Sequence, residues 1–282
     1  MDTGVYTPAA AGANGEAYAR ALGKWIPVTA HLVAPDGSSY MYVDARITGS
    51  ALHFVDRHQD RLVVASAGPI LVLGFVSLQS VAYSAPDANG RLTTWLLDTT
   101  TLQSTTVSKD RLYDWAGGGA IWRVGPAARG SGSALYRLDV RTGAETIWFD
   151  VDGYLGPEPS QSPSFTSEGE AHTPQNSLHH NFGIIGFDAS GHPVVQLGSP
   201  GDAGASATLL ITSPQTVQTI VVPGANGPGH LVPESATGGH SALWMVDAGG
   251  HVAVYRGAGP LEIIANVPVP AGSKAELAGP CS

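Results

Sequence analysis

Apolar residues recur along the chain in short runs, each closed by a cluster of Gly, Pro, Asp, Asn or Ser. "ALWMVDAGGHVAVYRG", Ala242 to Gly257, shows the pattern in full: an apolar run, an Asp, a Gly-rich turn and an alternating return. Alternation at period two predicts strands, and the turn formers between them predict hairpins. Helical periodicity is confined to "GEAYARALGKW", Gly15 to Trp25, about two turns long, and a helix of that length is marginal by itself. The pattern therefore predicts an all-β protein.

Comparing the chain with itself gives five related segments. They begin at "SYMYVDARITGSALHFVD", "SVAYSAPDANGRLTTWLLD", "AIWRVGPAARGSGSALYRLD", "FGIIGFDASGHPVVQLG" and "ALWMVDAGGHVAVYRG", and each holds three or four strands. Irregular spacing between equivalent strands fits propeller blades joined by loops of variable length. We expect a single β-propeller of five blades, or of six if a further blade lies in the Pro/Ser-rich stretch after Trp148. Residues 1–24 are expected to be a flexible N-terminal segment, 25–272 the propeller and 273–282 a C-terminal tail.

The repeat assigns a role to its Asp residues. Asp98, Asp139, Asp188 and Asp247 each end an apolar run and open "DTTT", "DVRTG", "DASG" and "DAGG". There a carboxylate accepts hydrogen bonds from backbone N–H groups two residues on, and a following Gly supplies positive φ for the hairpin. One such Asp per blade reads as turn chemistry rather than catalysis.

Composition narrows the partners. The chain has 14 Lys and Arg against 23 Asp and Glu, a formal net charge of -9, and no basic cluster, which argues against nucleic acid. Its longest apolar runs fall far short of the roughly 20 residues of a membrane helix. The single cysteine, Cys281, has no partner for an intramolecular disulfide. The first residues show neither a positive n-region nor a continuous apolar core, so they do not read as a signal peptide. Few Lys and much Gly, Ala, Ser and Thr suit an exported bacterial protein, and an extracytoplasmic or secreted location is expected, with the export signal outside this sequence.

"KWIPVTAHLVAPDGSSYMYVD", Lys24 to Asp44, resembles the first blade of exported bacterial β-propellers of the TolB-like or WD40-like kind, in which a Trp-x-Pro segment precedes a Ser-Pro-Asp-Gly turn and a Tyr-rich strand. Ala34 stands where that turn usually has Ser, and Pro35, Asp36 and Gly37 are retained. "ALYRLDVRTG" resembles their Leu-Asp-x-x-Thr-Gly hairpins. The resemblance implies a scaffold for binding protein or ligand, and since a fold does not fix an activity it assigns no catalytic residue.

Three chemistries can be weighed from the residues. Ten histidines are present, none in a His-Glu-x-x-His or His-x-His arrangement. His180 and His240 precede "FGIIGF" and "ALWMV", read as innermost strands, so a channel site for a divalent metal with Glu234 nearby, and with His31 if its blade is equivalent, is one reading. The other is that these imidazoles bond loop backbone. Glycosidase chemistry needs two carboxylates about 5 to 9.5 Å apart. Asp44, Asp56, Asp114, Asp150 and Glu234 remain once the turn Asp residues are removed, and Trp25, Trp115, Trp122 and Trp244 offer a sugar platform or core packing. A serine nucleophile lacks its Gly-x-Ser-x-Gly elbow. No catalytic residue and no metal ligand is assigned. Candidate ligand-contacting residues are His179, His180, His240, Glu234 and Trp25, and no cofactor is expected unless a divalent metal binds.

The expectation is thus a non-catalytic extracytoplasmic propeller binding a protein or extracellular ligand through loops on one face, the alternative being a propeller glycoside hydrolase or lyase with a carboxylate/His site in the central channel. The segment Asp152 to Asn181, rich in Pro, Ser and Thr, is a long loop that either recognises a partner or is disordered.

Overall fold

The computed structural model describes residues 17–19, 22, 24–26, 28–47, 49–128, 133–151, 182–197, 207–221, 233–238, 242–247 and 249–269. Its named elements are twenty-one strands and a 3-10 turn at Ala30–Leu32. The chain divides into two compact units, Met1–Asp110 and Arg111–Ser282.

The first unit opens with a small hairpin, β1 (Ala17–Ala19) and β2 (Lys24–Ile26), in which Tyr18 stands opposite Trp25. Strand thus occupies described parts of Gly15 to Trp25, the segment whose helical periodicity is marginal. Two turns of helix cannot offset their nucleation cost. As a strand, β2 instead buries Ile26, which packs with Val28, Tyr40 and Val55. β1 also lies inside the segment expected to be flexible. The tail 273–282 lies outside the described residues.

Two antiparallel meanders follow. The first is β3 (Tyr40–Arg46), β4 (Gly49–Val55) and β5 (Asp60–Ser66). The second is β6 (Leu71–Ser77), β7 (Ser80–Pro86), β8 (Leu92–Asp98) and β9 (Ser104–Lys109). Their shared core contains Met41, Leu52, Val81 and Leu97, all fully buried, with Phe54, Phe75 and Tyr83 around them. Burial of this kind is worth about 25 cal/mol per Å² of apolar surface, and it supplies most of the force holding one sheet on the next.

In the second unit, β10 (Trp115–Gly117), β11 (Ala120–Pro126), β12 (Ser133–Asp139) and β13 (Glu145–Asp150) form a third meander. A fourth comprises β14 (Phe182–Phe187), β15 (Pro193–Leu197), β16 (Ala207–Ser213) and β17 (Thr216–Ile220). A fifth comprises β18 (Pro233–Gly238), β19 (Leu243–Asp247), β20 (His251–Tyr255) and β21 (Glu262–Asn266). The last two join into one sheet because their first strands, β14 and β18, pair in parallel at Gly186 with Ala236 and Phe187 with Thr237. Gly186 permits this approach: a Cβ there would sit 1.8 Å from the carbonyl oxygen of Ala236.

The topology corrects the strand assignment in three meanders. The sequence repeats were aligned on β7, β11 and β19, which are second strands. The first strands are β6, β10 and β18. β6 is an apolar run, "LVLGFVS", buried along its middle five residues. β10 and β18, "WAG" and "PESATG", carry small residues where backbones crowd together. None of the three shows the alternation of a strand with one wet face, which is why the pattern passes over them.

Candidate functional site

Each hairpin Asp does what its position predicts. The Oδ1 atoms of Asp98 and Asp139 accept from the backbone N–H of Thr100 and Thr101, and of Arg141 and Thr142, at 2.8 to 3.0 Å. Asp188 Oδ1 accepts from Ser190 and His192, and Asp247 Oδ1 from His251. In the last two hairpins the second carboxylate oxygen takes a histidine ring. His192 Nδ1 lies 2.9 Å from Asp188 Oδ2, and His251 Nδ1 lies 2.8 Å from Asp247 Oδ2. Both pairs come from the same pattern, Asp-x-x-Gly-His, at 188–192 and 247–251. A ring that donates Nδ1–H to a carboxylate is oriented by it.

Asp56, kept among the catalytic candidates, is another such residue. Its Oδ1 accepts from His58 and Gln59 N–H, and its Oδ2 pairs with Arg61 Nη2 at 2.8 Å. Asp114 accepts from Val124 N–H, and Asp44 and Asp150 are also engaged. Trp122 is core rather than platform: it is buried, donates Nε1–H to the Gly117 carbonyl, and meets Trp148 edge to face at 5.8 Å. Trp115 packs against the same cluster.

Two polar clusters were missed. On the first meander, Asp60 joins three strands. Its Oδ2 accepts from Tyr42 Oη–H at 2.6 Å, and its Oδ1 lies 2.8 Å from His53 Nδ1. The Tyr42 and His53 rings stack at 4.7 Å. Burial and the bond to Asp60 push the Tyr42 phenol up to about 12. Burial opposes ionisation of Asp60, but the hydrogen bonds from Tyr42 and His53 outweigh it and hold the carboxyl below its ordinary value. A carboxylate that orients a histidine is half of a nucleophilic triad. Among the described residues the other half is missing, because His53 Nε2 is buried with no hydrogen-bond partner there.

In the third meander, Glu145 accepts from Arg123 Nε and Nη2 at 2.9 and 2.7 Å, from Tyr113 Oη–H at 2.8 Å, and from Arg111 Nη1. The Arg123 guanidinium carbon also lies over the Tyr136 ring, 3.8 Å from its centroid. Burial works against ionisation, yet the Arg123 and Tyr113 hydrogen bonds keep Glu145 below its usual value. A carboxylate so fully occupied is a structural anchor, with no lone pair left to act as a base. Both clusters arise from cross-strand proximity, which a linear reading finds only once register is known.

The residues singled out for ligand contact are placed as follows. His179, His180 and His240 lie outside the described residues, as do Asp152–Asn181 and Cys281. Trp25 is on β2 and Glu234 on β18, and their side chains lie outside the description as well. Since β18 and not β19 is the first strand of its meander and runs parallel to β14, position 240 follows a first strand while position 180 precedes one. His31 Nδ1 bonds to Thr29 Oγ1 at 2.9 Å. Among the described residues no three His, Cys, Asp or Glu side chains come together around a common point, and no helix is long and apolar enough to cross a membrane.

A groove of about 940 Å³ runs beside β5 within the first unit. Val63 to Gly68 line it, together with residues of the second meander that include Tyr83, Trp95, Leu102 and Ser104. Tyr83 Oη–H donates to Ser104 Oγ at 3.0 Å.

No protein-family model matches the chain, and no curated protein matches it. Solved structures do. An acylaminoacyl peptidase from Pyrococcus horikoshii superposes over 92% of this chain and 41% of its own, with a TM-score of 0.52 at 12% identity. The β-propeller domain of the Trilobed protease from Pyrococcus furiosus matches over 83% of this chain and 69% of its own, with a TM-score of 0.48 at 12% identity. The fold is a β-propeller. TolB from Acinetobacter baumannii is similar over 82% of this chain and 53% of its own, with a TM-score of 0.48 at 13% identity. The chain thus spans about half or less of the length of TolB and of the peptidase. At these identities the likeness is one of fold, and successive antiparallel meanders are the blades that such a fold requires.

Proposed function

We propose that the chain is a non-catalytic, extracytoplasmic propeller that binds a protein or extracellular ligand through loops on one face. The observation that carries this reading is the use made of its carboxylates. Hydrolase or lyase chemistry in a propeller needs acids held free for proton transfer or for a covalent step. Here Asp56, Asp98, Asp139, Asp188 and Asp247 hold hairpins, Glu145 is saturated by arginines and a tyrosine, and Asp60 is shared between Tyr42 and His53. Such spending of acids on rigidity suits a platform whose loops recognise something else. The composition, low in Lys and rich in small polar residues, supports the location.

The test sets binding against turnover. The full chain is incubated with nitrophenyl glycosides, nitrophenyl esters and lactones, alongside Glu234→Ala and His240→Ala. We expect no product above the buffer rate for any of the three proteins. Turnover by the wild type that either substitution abolishes would replace the binding reading with the channel hydrolase or lyase.

A further inference from the structure

Among the described residues the first meander has three strands. The second to fifth each have four strands, whereas the first consists of β3, β4 and β5 alone. The chain leaves β5 at Ser66 and enters β6 at Leu71, so the four residues between them cannot supply another strand. Among the described residues β5 is consequently the edge of its sheet while occupying the third position. Its burial reflects this. Leu62 is 59% exposed, and no buried residue occurs along the strand, whereas the third strand of the next meander, β8, buries Thr93, Thr94 and Leu97.

Against that edge lies the groove. Six consecutive residues of β5 and its exit, Val63 to Gly68, form one side of it. A stretch of that length is about 20 Å of strand. Beyond their ladder with β4, the backbone groups of residues 61–66 make no backbone hydrogen bond among the described residues. An edge whose outward N–H and C=O groups have no ladder partner among the described residues, beside a groove, is a template for an added strand. We propose that this groove binds an extended peptide segment of a partner protein, which completes the first blade as its fourth strand by pairing antiparallel with β5. The proposal rests on the binding reading above and names a site and partner class for it.

The lining sets the chemistry of the peptide. Val63, Val64, Trp95 and Leu102 make the lining partly apolar, which suits Val, Ile or Thr on the incoming strand. Asp87 is the one charged side chain in the lining and directly follows Pro86, beside the exit of β5. Backbone N–H bonds from Arg91 and Asn89 hold its carboxyl below the ordinary value, so it is charged at neutral pH. The end of β5 meets this region, because a Cβ on Gly68 would stand 2.7 Å from Pro86 Cγ. An antiparallel partner brings its N-terminal end here. The recognised segment therefore has β-branched residues at alternate positions and a positive charge, Lys, Arg or a free α-amine, at its N-terminal end.

To test this, a random octapeptide display library is selected on the full-length protein, and the enriched sequences are made as synthetic peptides. We expect Lys or Arg followed by alternating β-branched residues. The synthetic peptide should saturate the protein and slow amide exchange in residues 61–66, and N-methylation of alternate peptide amides should weaken it at least tenfold. Val64→Lys, which places a charge on the edge, should weaken binding to the same degree. If that variant fails to fold, Ala65→Lys, at an exposed position on the same strand, replaces it. Enriched peptides that protect hairpins elsewhere would overturn the β5 site and leave the binding reading standing. A protein that instead doubles its mass, with protection of residues 61–66 in the absence of peptide, would assign the edge to a second copy of the chain. No enrichment at all would overturn the proposal, and turnover in the substrate panel would overturn the reading beneath it.

Discussion

At the scale of single residues, the turn chemistry was readable because it is local. An Asp and the N–H groups it caps lie within four positions, so the sequence contains the whole interaction. Asp247 is the most buried of these carboxylates, 7% exposed, and holds both the His251 N–H and its ring. Asp247→Ala should therefore cost about 1 to 3 kcal/mol, the loss of two hydrogen bonds to a charged carboxylate from part-buried donors. Chemical denaturation would show it as a lower midpoint at unchanged slope. Glycine gives a sharper contrast. Gly118 and Gly90 both have positive φ, but a Cβ on Gly118 would lie 2.0 Å from the Gly191 carbonyl oxygen, while a Cβ on Gly90 meets nothing within 4 Å. Gly90→Ala should cost only the backbone strain, about 1 kcal/mol, and Gly118→Ala clearly more, because two hairpins must move apart. Equal melting temperatures for the two variants would contradict this account of the Gly118 contact.

Between residue and sheet, legibility falls off in a physically ordered way. Strands with one wet face alternate and were found. β18, "PESATG", was not, because its place depends on a parallel pairing to β14 that no local pattern encodes. The Glu145 cluster was invisible for the same reason: Tyr113, Arg123 and Glu145 are brought together by three separate segments of the chain. It also offers the strongest test at this scale. Side chains of Arg123 and Glu145 are only 16% and 11% exposed. Removing one partner from a pair buried this deeply leaves an uncompensated charge, so Glu145→Gln should destabilise the protein by about 3 kcal/mol. Replacing Glu145 and Arg123 together, by Leu and Met, should recover part of that loss, since an apolar pair has no desolvation penalty while the Tyr113 and Arg111 bonds to Glu145 stay lost. Urea unfolding of the single and double variants measures both, and a double variant weaker than the sum of the two singles would mean that the pair is valued for more than its mutual attraction.

For the whole molecule, the carboxylates act together as a single property. Asp56, Asp60, Asp87, Asp98, Asp139 and Glu145 are all held below their ordinary values. For most of them the cause is a backbone N–H in a hairpin. For Asp60 and Glu145 it is the side-chain bonds that outweigh burial. The unfolded chain has no such bonds, so it takes up protons at a higher pH than the folded chain does. Stability from these groups is complete above the ordinary carboxylate range and is lost as pH falls through the depressed folded values. The melting temperature should accordingly change little from pH 7 to pH 5 on account of these acids, then fall steeply below about pH 4, each proton taken up on unfolding contributing about 1.4 kcal/mol per pH unit. Thermal scans by circular dichroism at pH 7, 5, 4 and 3 would follow it. Salt separates the causes: pairs with arginine at the surface weaken in 0.5 M NaCl, whereas short Asp-to-backbone bonds do not depend on long-range charge. The acid slope should survive added salt, and its disappearance in 0.5 M NaCl would transfer the effect from the hairpins to general charge repulsion.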